Sequence, residues 1–451
     1  MEPSCALSRR SQAQKVSGWI VLLAAATACG NVTSPSPSPD TGPHTGAPDA
    51  VLWIDRTSSV ELRGLRLASA EALTFPSAVG SEVWSPDRER LLLEQQTGVF
   101  SIVTAEGETH AVDLVDTGSV AFAWSPDGGQ AALATSDHLA LTDSDGQHPV
   151  EISAEDIGAP TVDWSPDGSK VAYKLSQTVA VVDAATSHVV VAPSSDGLVY
   201  WAPSSDWFVT AAEGEARIFG ADGTPAGTHT DAGVGPLVYG WASDGSQIAL
   251  GTCGGDIIVL APEATEAQTL AAMSCKAQWS PVESRLAFMD EGLAPPRLKV
   301  WSSADRSTRE LRPLSDIWGW DWSPDGSMLA LQKVDGSQSV LIDSHDGSEI
   351  STVPGRASWS PSGDTLILAS NGELFTATSR GGTVRSLATG VSSWLWLPDG
   401  KHLFYTTDRE IFAVRADGTE RTKLAMSAPS ANVWGWLAPQ APCNGCRARA
   451  P

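Results

Sequence analysis

The side chains able to do chemistry are few and scattered along this 451-residue chain. Cys443-Asn-Gly-Cys446 is a CxxC motif in a short polar tail. No βαβ pattern surrounds it, as a thioredoxin-like redox centre would require, and a zinc site needs about four ligands where two stand, so a local disulfide is expected. Cys253 ends the apolar run 247–252 and Cys275 begins the strand leading to Trp279. In an oxidising compartment a bridge between them would staple one structural module to the next. Asp143-Ser-Asp145-Gly146 and Asp343-Ser-His-Asp346-Gly347 bring carboxylates together. Calcium takes about six to eight oxygens, and the alternating Asp with a distant Glu of an EF-hand is missing, so tight turns explain both clusters. The eight histidines (His44, His110, His138, His148, His188, His229, His345 and His402) stand at unrelated places and form no ligand set for a metal-dependent lyase. No Gly-x-Ser-x-Gly elbow appears, and no stretch is left over to build an α/β hydrolase. The expectation is no catalytic site, no metal and no cofactor.

The elements that would position any site are set by a repeat. Trp84, Trp124, Trp164, Trp201, Trp241, Trp279, Trp322, Trp359, Trp396 and Trp436 each end an apolar run and precede a turn, at spacings of 40, 40, 37, 40, 38, 43, 37, 37 and 40 residues. That period falls in the range of propeller blades. Each module reads as a short strand into the Trp, as in 120–124, then a tight turn, a second apolar strand such as 131–134 or 328–331, a third strand, a polar hairpin and a weaker fourth strand. In the turn, Pro presets φ, Asp suits the next position and Gly accepts the left-handed backbone. A twisted sheet with two apolar faces must bury both against neighbouring sheets. A large ring at the strand end fills that gap, contributing on the order of 2–3 kcal/mol of burial. The repeated tryptophans are therefore expected to be structural.

Trp-Ser-Pro-Asp-Gly at 124–128, 164–168 and 322–326, followed by an apolar strand and Asp-x-x-Gly, resembles the WD40-like repeat of TolB-type β-propellers. The resemblance covers residues 51–440. The modules at Trp84, Trp201, Trp241, Trp279, Trp359, Trp396 and Trp436 depart from the motif in the turn, which leaves their strand pattern intact and their turn geometry open. The resemblance implies an all-β propeller of about ten four-stranded modules and docking of peptides or protein partners at the ring's face or central channel. It carries over no binding-site residue, because only the structural repeat matches.

Residues 1–28 read as an export signal, with Arg9, Arg10 and Lys15 before the apolar run 18–28. Ala26-Thr-Ala-Cys29 resembles a bacterial lipobox, although Ala26 stands where Leu is preferred, and marks Cys29 for lipidation; more than one acyl chain anchors a protein stably. Residues 29–50 alternate Pro with small polar residues and read as an extended tether. Strands at 51–55 and 60–67 lack a preceding Trp-turn, while 432–436 is a Trp strand with no module after it. The economical solution is one ring closed by N- and C-terminal strands in a shared blade. Two smaller rings, or a ring of fewer blades with divergent extra modules, are the alternatives, and Pro295-Pro296 is where such a division would fall. Residues 441–451 form a C-terminal tail.

A net charge of −24 argues against nucleic acid and against binding anionic headgroups through basic patches. The functional expectation is a non-enzymatic binding scaffold: a monomeric, lipid-anchored lipoprotein of a Gram-negative cell envelope, facing periplasm or cell surface. Its partner would be an unidentified envelope protein or peptide, and it would meet the membrane through its N-terminal lipid alone. The alternatives are a lyase-like polysaccharide-acting enzyme on the same fold, or a carbohydrate-binding surface protein using Trp207, Trp301, Trp318 or Trp394, which lie outside the repeat position.

Overall fold

The repeated tryptophans each close the first strand of a four-stranded antiparallel sheet, or, at Trp436, the strand that completes one. The computed structural model describes residues 50–437 except 56–60, 67–71, 78–81, 87–89, 97–98, 105–107, 113–120, 136–137, 154–160, 175–178, 193–197, 213–214, 231–236, 253, 263–266, 275, 398–399, 409 and 427–431. The expected signal, tether, C-terminal tail, lipidation site Cys29 and the cysteines Cys253, Cys275, Cys443 and Cys446 lie outside the described residues. Nine sheets each take four consecutive strands; another joins Asn432–Leu437 to Ala50–Asp55, Glu61–Arg66 and Ala72–Ser77. We name each sheet by its tryptophan. The Trp322 sheet, for example, runs Ile317–Trp322, Met328–Lys333, Gln338–Asp343, Glu349–Pro354. The first and second strands and the third and fourth are joined at one end of each sheet, the turn end. The second and third strands, and the link to the next sheet, are joined at the other, the crossover end.

Middle strands are buried on both faces and read as continuous apolar runs, as in Met328–Lys333, whereas fourth strands such as Ser307–Pro313 are largely exposed. The core lies between sheets. Leu329 and Leu331 pack against Ala287 and Met289 of the Trp279 sheet, while Met328 and Ala330 on the opposite face pack against Leu366 and Trp359 of the following one.

A hydrogen bond repeats with that packing. The indole Nε1 of Trp124 donates to the carbonyl of Val83 (3.0 Å), Trp164 to Ala123 (3.0 Å), Trp241 to Tyr200 (3.0 Å), Trp279 to Gly240 (2.8 Å) and Trp322 to Gln278 (3.2 Å). Every acceptor is the residue just before the tryptophan of the preceding sheet, so each ring staples its sheet to the last. The buried Nε1 atoms of Trp201, Trp359 and Trp396 have no acceptor. Before Trp201 and Trp359 the corresponding residues are Asp163 and Asp321.

The turns explain the motif. Ser125 Oγ donates to Asp127 Oδ1 (2.6 Å) and accepts the Gln130 N–H (2.9 Å), while Asp127 Oδ1 also accepts the Gly129 N–H (2.9 Å). The same bonds recur at Ser165/Asp167 and Ser323/Asp325. Gly326, at φ 69°, could not be replaced without strain: a Cβ there would lie 2.7 Å from both Ser280 Oγ and Val282 Cγ2 of the preceding sheet. Most departures from the motif keep the turn. Ser205 adopts φ 63° in the glycine's place, donates its N–H to Ala202 O, and its Oγ accepts the Asp167 N–H of the preceding sheet (2.9 Å). Gly245, Gly363 and Gly400 make the same closing bond. At 279–285 the turn is instead drawn in by Arg285, whose N–H donates to Glu283 O and whose guanidinium reaches Gly326 O and Ser344 O of the next sheet.

Removing a satisfied indole N–H should cost more than removing an orphaned one. Trp164→Phe leaves the part-buried Ala123 carbonyl without its indole partner, a loss of about 1 kcal/mol, whereas Trp359→Phe loses ring area alone. Urea unfolding should find Trp164→Phe the less stable variant; equal losses would show that the staple contributes nothing.

Candidate interaction site

Trp318, Trp320 and Trp322 alternate along one strand, and strict alternation would turn all three to the same face. Trp320 and Trp322 are buried, but Trp318 is 46% exposed. The cause is a bulge. Ile317 pairs with Lys333 and Gly319 with Gln332, leaving Trp318 as the extra residue and aiming its ring out at the crossover end.

Two cations from flanking sheets hold that ring. Lys276 Nζ lies 4.7 Å from its centroid and donates to the Trp318 carbonyl; the Arg356 guanidinium carbon lies 5.4 Å away. Lys276 and Arg356 occupy equivalent places, three residues before Trp279 and Trp359. Burial lowers the Lys276 ammonium from its ordinary value, with Glu291 pulling it back up. Arg356 is exposed and has neither a carboxylate nor a hydrogen-bond acceptor among the described residues. Nearby carboxylates are engaged: Asp290 with Lys299 (2.6 Å) and Asp316 with Lys333 (3.3 Å).

Apolar side chains extend the site. Met273, Leu293 and Val334 are among the most exposed large hydrophobics described, and all lie at this end of the Trp241, Trp279 and Trp322 sheets. They share that end of the sheets with the ring. Met273 Sδ lies 3.5 Å from where a Cβ on Gly292 would stand, Val334 N donates to Asp316 O, and Arg356 Nε lies 3.5 Å from the Cβ position of Gly336. The result is a strip of aromatic, aliphatic and cationic groups along the crossover end of neighbouring sheets.

The other expected residues are placed elsewhere. Of the four tryptophans expected as carbohydrate platforms, Trp301 is fully buried against Trp279, and Trp207 and Trp394 pack half-buried against sheet cores. Only Trp318 of the four is exposed. The clustered aspartates serve turns. Asp143 accepts the Asp145 and Gln147 N–H groups and meets His148 Nδ1 at 2.9 Å; Asp145 pairs with Arg90 at 3.2 Å. Asp343 and Asp346 accept the His345 and Ser348 N–H groups. Among the described residues no three His, Cys, Asp or Glu side chains gather as a metal would need. Gly255 and Ser274, close to Cys253 and Cys275 in sequence, are cross-strand partners within the Trp241 sheet.

Two carboxyls one residue before a repeat tryptophan are perturbed the other way. Asp163 is exposed as a residue, yet the atoms crowding its carboxyl desolvate it and push it up to about 7, offset only in part by the Trp164 backbone N–H. Desolvation also raises Asp321, which accepts from Gln332 Nε2 at 2.6 Å.

No family model and no curated protein matches this chain. Among solved structures it is similar to one described as a eukaryotic initiation factor, with a TM-score of 0.51 and 12% identity over 76% of this chain and 98% of that one. A dihydro-heme d1 dehydrogenase, NirN, aligns with a TM-score of 0.40 and 14% identity over 68% of this chain and 73% of that one. At these identities the likeness concerns fold alone. The chain is an all-β, β-propeller-like protein of repeated four-stranded antiparallel sheets, and no family is identified.

The folded Asp163 value lies above the ordinary unfolded value of about 4, so the native state holds the extra proton and stability declines as pH rises from about 4 to about 7. Asp163→Asn should therefore gain thermal stability relative to the parent between pH 5 and pH 8. A difference independent of pH would show that the carboxyl titrates normally.

Proposed function

We propose that this chain is a non-enzymatic binding scaffold whose working surface is the Trp318 strip at the crossover end. The observation that carries the reading is the bulge at Trp318. It exposes a large ring that simple alternation would bury, and places it among exposed aliphatic side chains and two cations. Exposed apolar surface of this kind marks interaction sites, and Trp, Met and Arg are the residue types enriched at them. In this reading the sheets form one ten-bladed TolB-type ring. The pairing of Ala50–Asp55 with Asn432–Leu437 supports closure by the chain's two ends. The lipobox-like Ala26–Cys29 and the Pro/Ser tether support a lipid-anchored monomer in the envelope of a Gram-negative bacterium, presenting the strip to a protein or peptide partner.

Both halves of the proposal are open to test in cells. A photo-crosslinking residue at Val334, exposed beside Trp318, should give one discrete protein adduct of the full-length chain; the same probe at Val384, on the turn end, should give none. Adducts of equal yield from both positions, or none from Val334, would count against the strip. Cys29→Ser should move the chain from the membrane fraction to the soluble fraction, and unchanged membrane retention would sink the lipid anchor.

A further inference from the structure

We infer that the strip takes a protein segment in which an acidic side chain sits beside an apolar one, the carboxylate going to Arg356 and the apolar group to Trp318 and Val334. This rests on the scaffold reading and adds the chemistry of the occupant. Three observations carry it. Arg356 is exposed at the strip with no carboxylate or acceptor among the described residues, in a chain whose net charge is −24. A guanidinium is a planar fork of donors suited to grip a carboxylate with two parallel hydrogen bonds. Second, Lys276 stands at the matching place on the other side of the ring, so positive charge flanks Trp318 from two sheets. Its ammonium is engaged by the Trp318 carbonyl, which leaves it to supply field while Arg356 supplies the direct contact. Third, the rest of the strip is aliphatic: Met273, Leu293 and Val334 offer no hydrogen bonds. A sugar covered in hydroxyls would lose hydrogen bonds to water on such a surface without replacing them. A Leu or Phe side chain would bury against it with no such loss. The occupant the surface complements is thus anionic and apolar at adjacent positions, which a peptide supplies and a neutral glycan does not.

The bulge makes this arrangement specific to one sector. The Trp241 and Trp396 sheets carry the same register shift, but there the extra residues are Tyr239 and Ser392. Tyr239 is buried and donates its hydroxyl to Ser274 O (3.0 Å), and Ser392 donates to Asp408 (3.2 Å). Of these three bulges, the one at Trp318 alone presents an exposed aromatic ring.

The test is selection of random twelve-residue peptides on the immobilised full-length chain. The recovered peptides are then measured by fluorescence anisotropy against the parent, Trp318→Ala, Arg356→Glu and the Lys276→Glu/Arg356→Glu double variant. Circular dichroism of each variant establishes that it folds, and Val384→Asp serves as a control on the turn end. We expect recovered peptides to combine Asp or Glu with Leu, Phe or Trp. Their dissociation constants should rise at least about tenfold in Trp318→Ala and in Arg356→Glu and remain unchanged in Val384→Asp. Affinity should also fall several-fold as salt is raised from about 50 to about 500 mM. Recovery of basic or neutral peptides, or binding indifferent to Arg356→Glu, would overturn the acidic-segment inference and leave the scaffold reading standing. Recovery of no peptide, together with binding of oligogalacturonate that is lost in Trp318→Ala, would overturn both and make the strip a glycan site.

Discussion

The structure depends on a sheet that cannot stand alone. Where burial is described, as at Met328–Lys333, the middle strands are covered on both faces, so a four-stranded unit is stable only between two neighbours. The repeat tryptophan answers that constraint twice over. Its ring fills the gap between sheets, and at Trp124, Trp164, Trp241, Trp279 and Trp322 its indole N–H binds a backbone carbonyl in the preceding one. Because the acceptor is a backbone carbonyl, residues as different as Ala123, Tyr200 and Gln278 supply it. The hydrogen bond fixes how one sheet sits on the next without fixing the sequence there.

The turns add a second link between neighbours. Ser205 Oγ accepts the Asp167 N–H of the preceding sheet, and Arg285 spans to Gly326 and Ser344 in the following one. The aspartates of these turns are held below their ordinary values, Asp127 chiefly by the Ser125 hydroxyl and the backbone N–H groups they accept. Their charges are therefore part of the scaffold. The turn aspartates are engaged in local hydrogen bonds at one end of the sheets, while the exposed apolar strip with its flanking cations lies at the other.

That division separates support from recognition. At the turn end the described Ser and Asp side chains of the Ser-Pro-Asp-Gly turns are satisfied by bonds within their own turns. At the crossover end, one added residue in a single strand is enough to release a ring from the core, and neighbouring sheets bring Lys276 and Arg356 up to it. A repeat protein can differentiate one sector in this way without disturbing the packing of the others, because each sheet contacts only its neighbours.

The sequence by itself determined the repeat, the four-stranded sheets and the turn chemistry, because period, alternation and Ser-Pro-Asp-Gly are local properties of the chain. It also made legible that the repeat tryptophans are structural, and Trp318 stood among the rings outside the repeat. It could not say which of those rings is exposed. Trp318 has the same alternation as Trp320 and Trp322, so the pattern assigns it to the core; only pairing with Met328–Lys333 shows that it is the unpaired residue of a bulge. Trp301 shows the converse, an isolated ring that the neighbouring sheet buries completely. Nor could spacing along the chain bring Lys276 and Arg356 to one ring, or raise Asp163 while lowering Asp167 four residues on. Those outcomes depend on which backbone atoms and charges other sheets place around each side chain. Only the tertiary structure sets that, because burial and cross-strand register are properties of neighbours and not of sequence order.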